Sequence, residues 1–174
     1  MHSSSINGDD LKGFAANFKS DEKNEQVMPH IGPEVYKCSV TVNWDGLTGG
    51  EAKTSQHKLD FDMPKEFNGL GRSFCPDELL LSAIGGCLIT TFLNFKERFN
   101  LPLKKIQVNV RGEVKLVEGA YRVNGVEVKM EASTAGDEVE RVRRFIELAK
   151  EYCHITRSLE GCIPITVEIT VRSE

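Results

Sequence analysis

Cysteine is the residue type of this chain best suited to chemistry, and two of its five cysteines stand in suggestive positions. Cys87 follows Gly85 and Gly86 inside an apolar segment, and Cys153 continues a series of apolar residues at helical spacing. Thiols in a reducing compartment are buried, bound to metal or reactive, and a reactive thiol acts as a thiolate nucleophile. The alternative is that both are core residues, because a buried cysteine behaves as a small hydrophobic side chain.

The glycine pair before Cys87 favours a special role for this position. A glycine inside a helix costs about 1 kcal/mol relative to alanine, so Gly85 and Gly86 together call for a packing or functional reason. Close approach of another element beside Cys87 is one such reason.

The remaining candidates are weaker. Cys38 alternates with the inward residues of a strand and is predicted to be core, and Cys162 begins another strand. Cys75 is either a plain loop cysteine or an alternative thiol partner. His154 follows Cys153 directly, and because adjacent helical positions point apart, these two alone do not make a catalytic pair. The chain has no CxxC motif, so we expect no zinc site, no other metal and no cofactor.

Composition narrows the class of protein. A chain of 174 residues with 40% hydrophobic and 28% charged residues supports one sizeable core. The net charge of -4 and the absence of basic runs argue against nucleic acid as a partner. The segment at 79–93 is interrupted by polar residues and glycines, so we expect no membrane span. The start of the chain lacks a basic and apolar leader, and the odd cysteine count does not suit a secreted disulfide framework, so we expect a cytoplasmic protein.

Hydrophobic periodicity supplies the elements that position these residues. Residues 1–34 are polar and rich in glycine and proline, which predicts a loosely ordered extension before one domain at 35–174. Within the domain, period-two segments predict strands, and the segment at 77–98 is apolar nearly all round, which predicts a buried helix. The predicted strands are 36–44, 58–63, 106–110, 126–130 and 163–171, with a turn at 45–50, a loop at 64–75 and a second helix at 139–153.

These patterns predict an α+β fold in which antiparallel β-sheets pack with a long buried central helix. A single subunit has little with which to cover such a helix on every side. We therefore expect a second subunit to complete the cover, since exposed apolar area of this extent marks an interface.

Two segments carry a family resemblance. Residues 76–87, Pro-Asp-Glu-Leu-Leu-Leu-Ser-Ala-Ile-Gly-Gly-Cys, resemble the central-helix signature of the OsmC/Ohr family, in which a proline and an acidic residue open the helix and the peroxidatic cysteine comes eleven residues after that proline. Residues 152–159, Tyr-Cys-His-Ile-Thr-Arg-Ser-Leu, are similar to the second cysteine motif of the family. The resemblance covers residues 35–172.

The resemblance implies an OsmC-like intertwined homodimer with its active sites at the interface. There Cys87 attacks a small-molecule hydroperoxide and becomes a sulfenic acid, Cys153 resolves it as a disulfide, and an external dithiol reductant restores both thiols. It also implies that a carboxylate near the helix start, here Asp77, holds an arginine that favours the thiolate.

The chain departs from this pattern at the arginine. The first hairpin carries no arginine, and lysine lacks the planar fork that binds carboxylate and peroxide together. Arg72 is a substitute from the loop, or else a solvated residue, and Asp77 could serve only the helix dipole. An alternative function therefore stands beside the peroxidase: the interface pocket binds a small apolar or thiol-bearing molecule without peroxidase activity.

Overall fold

The computed structural model describes residues 33–174. The predicted N-terminal extension at 1–34 lies outside the described residues except for its last two. Residues Ser39–Glu174 form one compact unit built from two three-stranded sheets, three α-helices and two short 3-10 helices, Lys65–Phe67 and Gly136–Glu138.

The first sheet contains one strand more than the sequence predicted. Strands β1 (Thr41–Trp44), β2 (Gly49–Lys53) and β3 (Lys58–Asp62) pair antiparallel in that order. The glycines at the start of β2 were interpreted as a turn, which is wrong. A Cβ on Gly49 would lie 2.2 Å from the carbonyl oxygen of Phe61, so glycine is needed there because a neighbouring backbone passes close by.

A buried carboxylate ties this sheet to the segment that leads into the central helix. Asp62 is 1% exposed and accepts hydrogen bonds from Thr48 Oγ1 (2.6 Å), the Met63 backbone (2.9 Å), and both the backbone N–H (2.9 Å) and Nε (2.7 Å) of Arg72. Arg72 Nη2 also donates to Asp45 Oδ2 at 2.6 Å. The hydrogen bonds from the Arg72 guanidinium and from Thr48 hold the pKa of Asp62 well below its usual range.

We expect Asp62→Asn to lower the melting temperature by about 5 °C. The asparagine amide would place its own N–H group against the Thr48 and Arg72 donors, which now donate to a carboxylate. Because the pKa of Asp62 is depressed in the folded state, the stability it supplies is complete above about pH 4 and is lost as the pH falls through the folded pKa. Thermal melts between neutral pH and pH 3 check this, with the exposed Asp60→Asn as control. Equal melting temperatures for both variants would contradict the structural role of Asp62.

The central helix, α1 (Pro76–Phe99), lies within one residue of the predicted span at each end. It begins with a capping box in which Cys75 Sγ accepts from the Glu78 backbone at 3.4 Å and Glu78 Oε2 accepts from the Cys75 backbone at 2.8 Å. It ends at Asn100, which adopts the left-handed conformation with φ 47°.

One face of α1 is fully buried and another is open. Among the residues described, α1 is the one helix that is long and apolar enough, by length and composition alone, to span a membrane, although polar residues and glycines interrupt its apolar series. Ile84, Leu88 and Phe92 are nevertheless wholly inaccessible within the fold, as in the core helix of a globular domain. The exposed face includes Gly86 and Leu93, so a single chain does not cover the helix all round.

The second sheet is a long hairpin with a third strand added in parallel. Strands β4 (Lys105–Val117) and β5 (Ala120–Thr134) pair antiparallel across a two-residue turn, Glu118-Gly119, with φ 50° and 83°. Strand β6 (Ile165–Ser173) pairs parallel with β5, because the chain returns through two helices before re-entering the sheet. The predicted α+β class with antiparallel sheets is confirmed, apart from this one parallel pairing.

The second cysteine lies at the junction of those two helices. Helix α2 (Val139–Tyr152) buries Val142, Ile146 and Ala149 completely, and the short helix α3 (His154–Leu159) follows it. Cys153 is the break between them, with φ -65° and ψ 108°, and is itself inaccessible to solvent. It therefore lies where the apolar series predicted, although not in helical conformation.

Candidate functional site

The fold brings the two predicted cysteines together. Cys87 lies midway along α1 and is 6% exposed, and Cys153 lies at the α2–α3 junction and is 0% exposed. The Cys153 side chain lies close enough to the Cys87 thiol to raise the pKa of that thiol. Both cysteines carry free thiols. Two neighbouring thiols can be joined as a disulfide by a two-electron oxidation.

The surroundings of Cys87 favour the protonated thiol. Burial raises the pKa of the Cys87 thiol above its ordinary value, and the adjacent Cys153 raises this pKa further. Hydrogen bonds from the Ile155 backbone and the Thr91 side chain oppose these effects without cancelling them. At neutral pH the Cys87 proton must therefore be removed if the sulfur is to act as a nucleophile.

A histidine that the sequence analysis set aside contacts Cys87. The Nδ1 atom of His154 lies 3.5 Å from Cys87 Sγ, and Nε2 lies 3.8 Å away, and His154 as a residue is exposed to solvent. His154 and Cys153 were judged unable to pair because they are adjacent, and the structure instead places both near Cys87. The available signal was proximity in sequence: a residue next to a thiol-site cysteine lies close to that site.

Asp77 does not reach this site within one chain. It lies in the first turn of α1, ten residues before Cys87, which corresponds to about 15 Å along a helix axis. Among residues 33–174, no hydrogen bond or ion pair involves its side chain, and acidic residues are favoured in a first turn. The role that the resemblance assigns to Asp77 stays a prediction.

Arg72 belongs to the first sheet and not to the thiol site. Its ion pairs with Asp62 (2.7 Å) and Asp45 (2.6 Å) occupy the guanidinium, so the interpretation of Arg72 as a solvated loop residue is wrong. Within the described part of the chain, no arginine or lysine hydrogen-bonds to Cys87.

The other cysteines lie apart from this pair. Cys75 caps α1 through its sulfur. Cys38 is exposed, so its predicted place in the core is wrong, because the first strand begins only at Thr41. Cys162 is exposed as well. Residues 33–174 hold no group of three His, Cys, Asp or Glu side chains arranged to bind a metal.

The glycine pair has two different surroundings. A Cβ on Gly85 would lie 3.0 Å from Val110 Cγ2, so strand β4 passes closely over the helix two residues before Cys87. A Cβ on Gly86 would meet nothing within 4 Å. Close packing of another element thus accounts for Gly85 within this chain, while Gly86 lies on the open face of α1.

Comparison with known proteins identifies relatives of this chain. The family model described as OsmC-like protein matches residues 69–168, which include α1, both cysteines and His154. The uncharacterized protein YmaD of Bacillus subtilis (strain 168) is 26% identical over 136 residues, covering 75% of this chain and 91% of YmaD.

Solved structures share the fold. An OsmC-like protein from Mycoplasma pneumoniae superposes with a TM-score of 0.67 at 19% identity, covering 79% of this chain and 97% of that one. An organic hydroperoxide resistance protein, OsmC, from Legionella pneumophila superposes with a TM-score of 0.59 at 17% identity, covering 80% and 98% of the two chains. At this level of identity the likeness establishes the architecture alone.

Proposed function

The chain belongs to the OsmC-like protein family, and on that premise we propose that it is a cysteine-based peroxidase that reduces hydroperoxides. Cys87 is the attacking thiol and Cys153 is the resolving thiol. The observation that carries this proposal is the proximity of these two thiols, both of them nearly inaccessible to solvent. The hydroperoxide resistance ascribed to the Legionella pneumophila relative supports the choice of substrate class.

The proposed cycle has three balanced steps. The Cys87 sulfur attacks one peroxide oxygen, the O–O bond breaks, and the products are a sulfenic acid on Cys87 and an alcohol or water. The Cys153 thiol then displaces hydroxide from that sulfur and forms the Cys87–Cys153 disulfide with loss of water. An external dithiol gives up two electrons and two protons to restore both thiols, becoming a disulfide itself.

We also propose that the protein acts as a homodimer. The first sheet exposes Val42 (59%) and Trp44 (74%), Phe74 in the segment before α1 is 52% exposed, and α1 presents an open face at Gly86 and Leu93. A second copy of the chain that packed on these surfaces would cover both. We expect sedimentation velocity at micromolar concentration to give a dimer. A monomer at all concentrations would contradict this arrangement.

A second candidate function rests on a specific observation. No arginine or lysine among the described residues hydrogen-bonds to Cys87, and burial raises the pKa of its thiol. A site with these properties could bind a small apolar or thiol-bearing molecule without turning over peroxide. Both candidate functions use free thiols, which persist in a reducing compartment. We therefore propose that the protein is cytoplasmic.

Peroxide consumption separates the two candidates. The full chain is incubated with cumene hydroperoxide or hydrogen peroxide and an excess of dithiothreitol, and peroxide loss is followed over time. A peroxidase consumes many equivalents of peroxide per chain, at a rate proportional to protein concentration. Consumption no faster than with dithiol alone, for both peroxides, would reject the proposed activity and favour the binding function.

A further inference from the structure

His154 occupies a position at the thiol site that the pair of cysteines does not explain. Its imidazole approaches Cys87 Sγ with Nδ1 at 3.5 Å and Nε2 at 3.8 Å. It reaches the site from α3, while Cys87 belongs to α1, so the contact depends on the tertiary fold and not on neighbouring positions of one helix. Neither cysteine needs a histidine to form a disulfide, so the contact requires its own account.

The chemistry of Cys87 leaves a role for a base. The thiol is buried, and no lysine or arginine hydrogen-bonds to it among the described residues, so none of these residues offers a fixed cation to pair with the thiolate. Histidine is the side chain whose ordinary protonation range spans neutral pH, and a neutral imidazole nitrogen within hydrogen-bond range of a thiol accepts its proton. The exposed imidazole can then exchange that proton with water.

We propose that His154 is the catalytic base of this site, taking the Cys87 proton as the sulfur becomes a nucleophile. In the proposed peroxidase cycle, on which this step partly rests, the proton passes from Cys87 Sγ to an imidazole nitrogen while sulfur attacks the peroxide. The O–O bond breaks, and the leaving oxygen takes the proton back from the imidazolium to form the alcohol. His154 returns to its neutral form, and Cys87 is left as the sulfenic acid.

The pH dependence follows from the groups that face Cys87. The titratable ones are His154 from α3 and Cys153 from the α2–α3 junction, and on its own helix Thr91 contributes a hydroxyl that does not titrate in this range. Only a neutral imidazole accepts a proton, so the reactivity of Cys87 is lost at acid pH, where histidine side chains are protonated. Without His154, reactivity follows the free thiolate and rises only at alkaline pH, since burial raises the pKa of the Cys87 thiol.

Alkylation tests this proposal without peroxide. The full chain is treated with iodoacetamide between pH 5 and pH 10, and the modified Cys87 peptide is quantified by mass spectrometry. We expect His154→Asn, which keeps a hydrogen-bonding amide near the position of Nδ1, to slow Cys87 alkylation at pH 7 by at least about 10-fold and to move the profile to higher pH. His57→Asn, at an exposed histidine that bonds to Thr54 through its backbone, is the matched control and keeps the wild-type profile.

The outcomes separate this inference from the proposed function. A wild-type profile in both His154→Asn and His154→Gln, with unchanged circular dichroism, would overturn the role of His154 whatever the peroxide assay shows. A shifted profile in a protein that consumes no peroxide would support the base and reject the peroxidase. If the alkylation profile of His154→Asn shifts and its peroxide turnover at pH 7 falls by a similar factor, the role of His154 as base and the peroxidase function are both supported.

Discussion

Replacing Cys87 with serine is expected to lower peroxide turnover by at least about 1,000-fold, to the level of the dithiol alone. The change removes one sulfur atom and leaves a side chain of similar size in a site that is 6% exposed, so the fold should persist. A serine hydroxyl cannot form the sulfenic acid on which the cycle depends. The measurement is the initial rate of cumene hydroperoxide loss with excess dithiothreitol at fixed protein concentration.

The control for this substitution is Cys162→Ser, at an exposed cysteine outside the thiol site. Cys162→Ser should retain the wild-type rate, and both variants should melt within a few degrees of the wild type. Peroxide turnover that survives Cys87→Ser would show that another residue is the nucleophile.

Replacing Cys153 with serine is expected to separate the first chemical step from turnover. Cys87 can still react once with peroxide, but the sulfenic acid has no thiol partner at hand and the disulfide cannot form. An external dithiol must then reach a nearly buried sulfur, so steady-state turnover should fall by at least about 10-fold. With excess peroxide, Cys87 should proceed to the sulfinic acid, which intact-mass spectrometry detects as a gain of two oxygen atoms.

Cys75→Ser is the matched control, because Cys75 is the one other cysteine of α1 or its cap. Serine caps helices well, so this variant should keep both stability and turnover. If Cys75→Ser prevented formation of the disulfide while Cys153→Ser did not, the resolving role would pass to Cys75.

The elements that hold the site could be predicted where the hydrophobic pattern is strong. The central helix was predicted within one residue at each end, because Pro76 suits its first turn and apolar residues recur on nearly every side as far as Phe99. Strand β2 was missed because its first residues, Gly49 and Gly50, carry no side-chain pattern and are required by backbone contacts that only the paired strands reveal. The parallel pairing of β6 likewise depends on the path of the chain and not on the alternation of its residues.

The site was predicted in part. The encounter of Cys87 with Cys153 followed from the family resemblance, since periodicity alone could not say that the end of one helix series approaches the middle of another helix. His154 was missed because sequence spacing addresses pairs on one element, whereas its contact with Cys87 joins two elements. The ion pairs of Arg72 with Asp62 and Asp45 could not be predicted either, because these three residues lie on separate segments of the chain.

Peptide mass mapping of the oxidised full chain tests the central claim most directly. The protein is treated with one equivalent of cumene hydroperoxide, remaining thiols are alkylated, and disulfide-linked peptides are identified without reduction. We expect a single dominant Cys87–Cys153 link that dithiothreitol removes and a second equivalent of peroxide restores. A link of Cys87 to Cys75 or Cys162 instead, or a chain whose Cys87 and Cys153 both remain alkylatable after peroxide, would contradict the account.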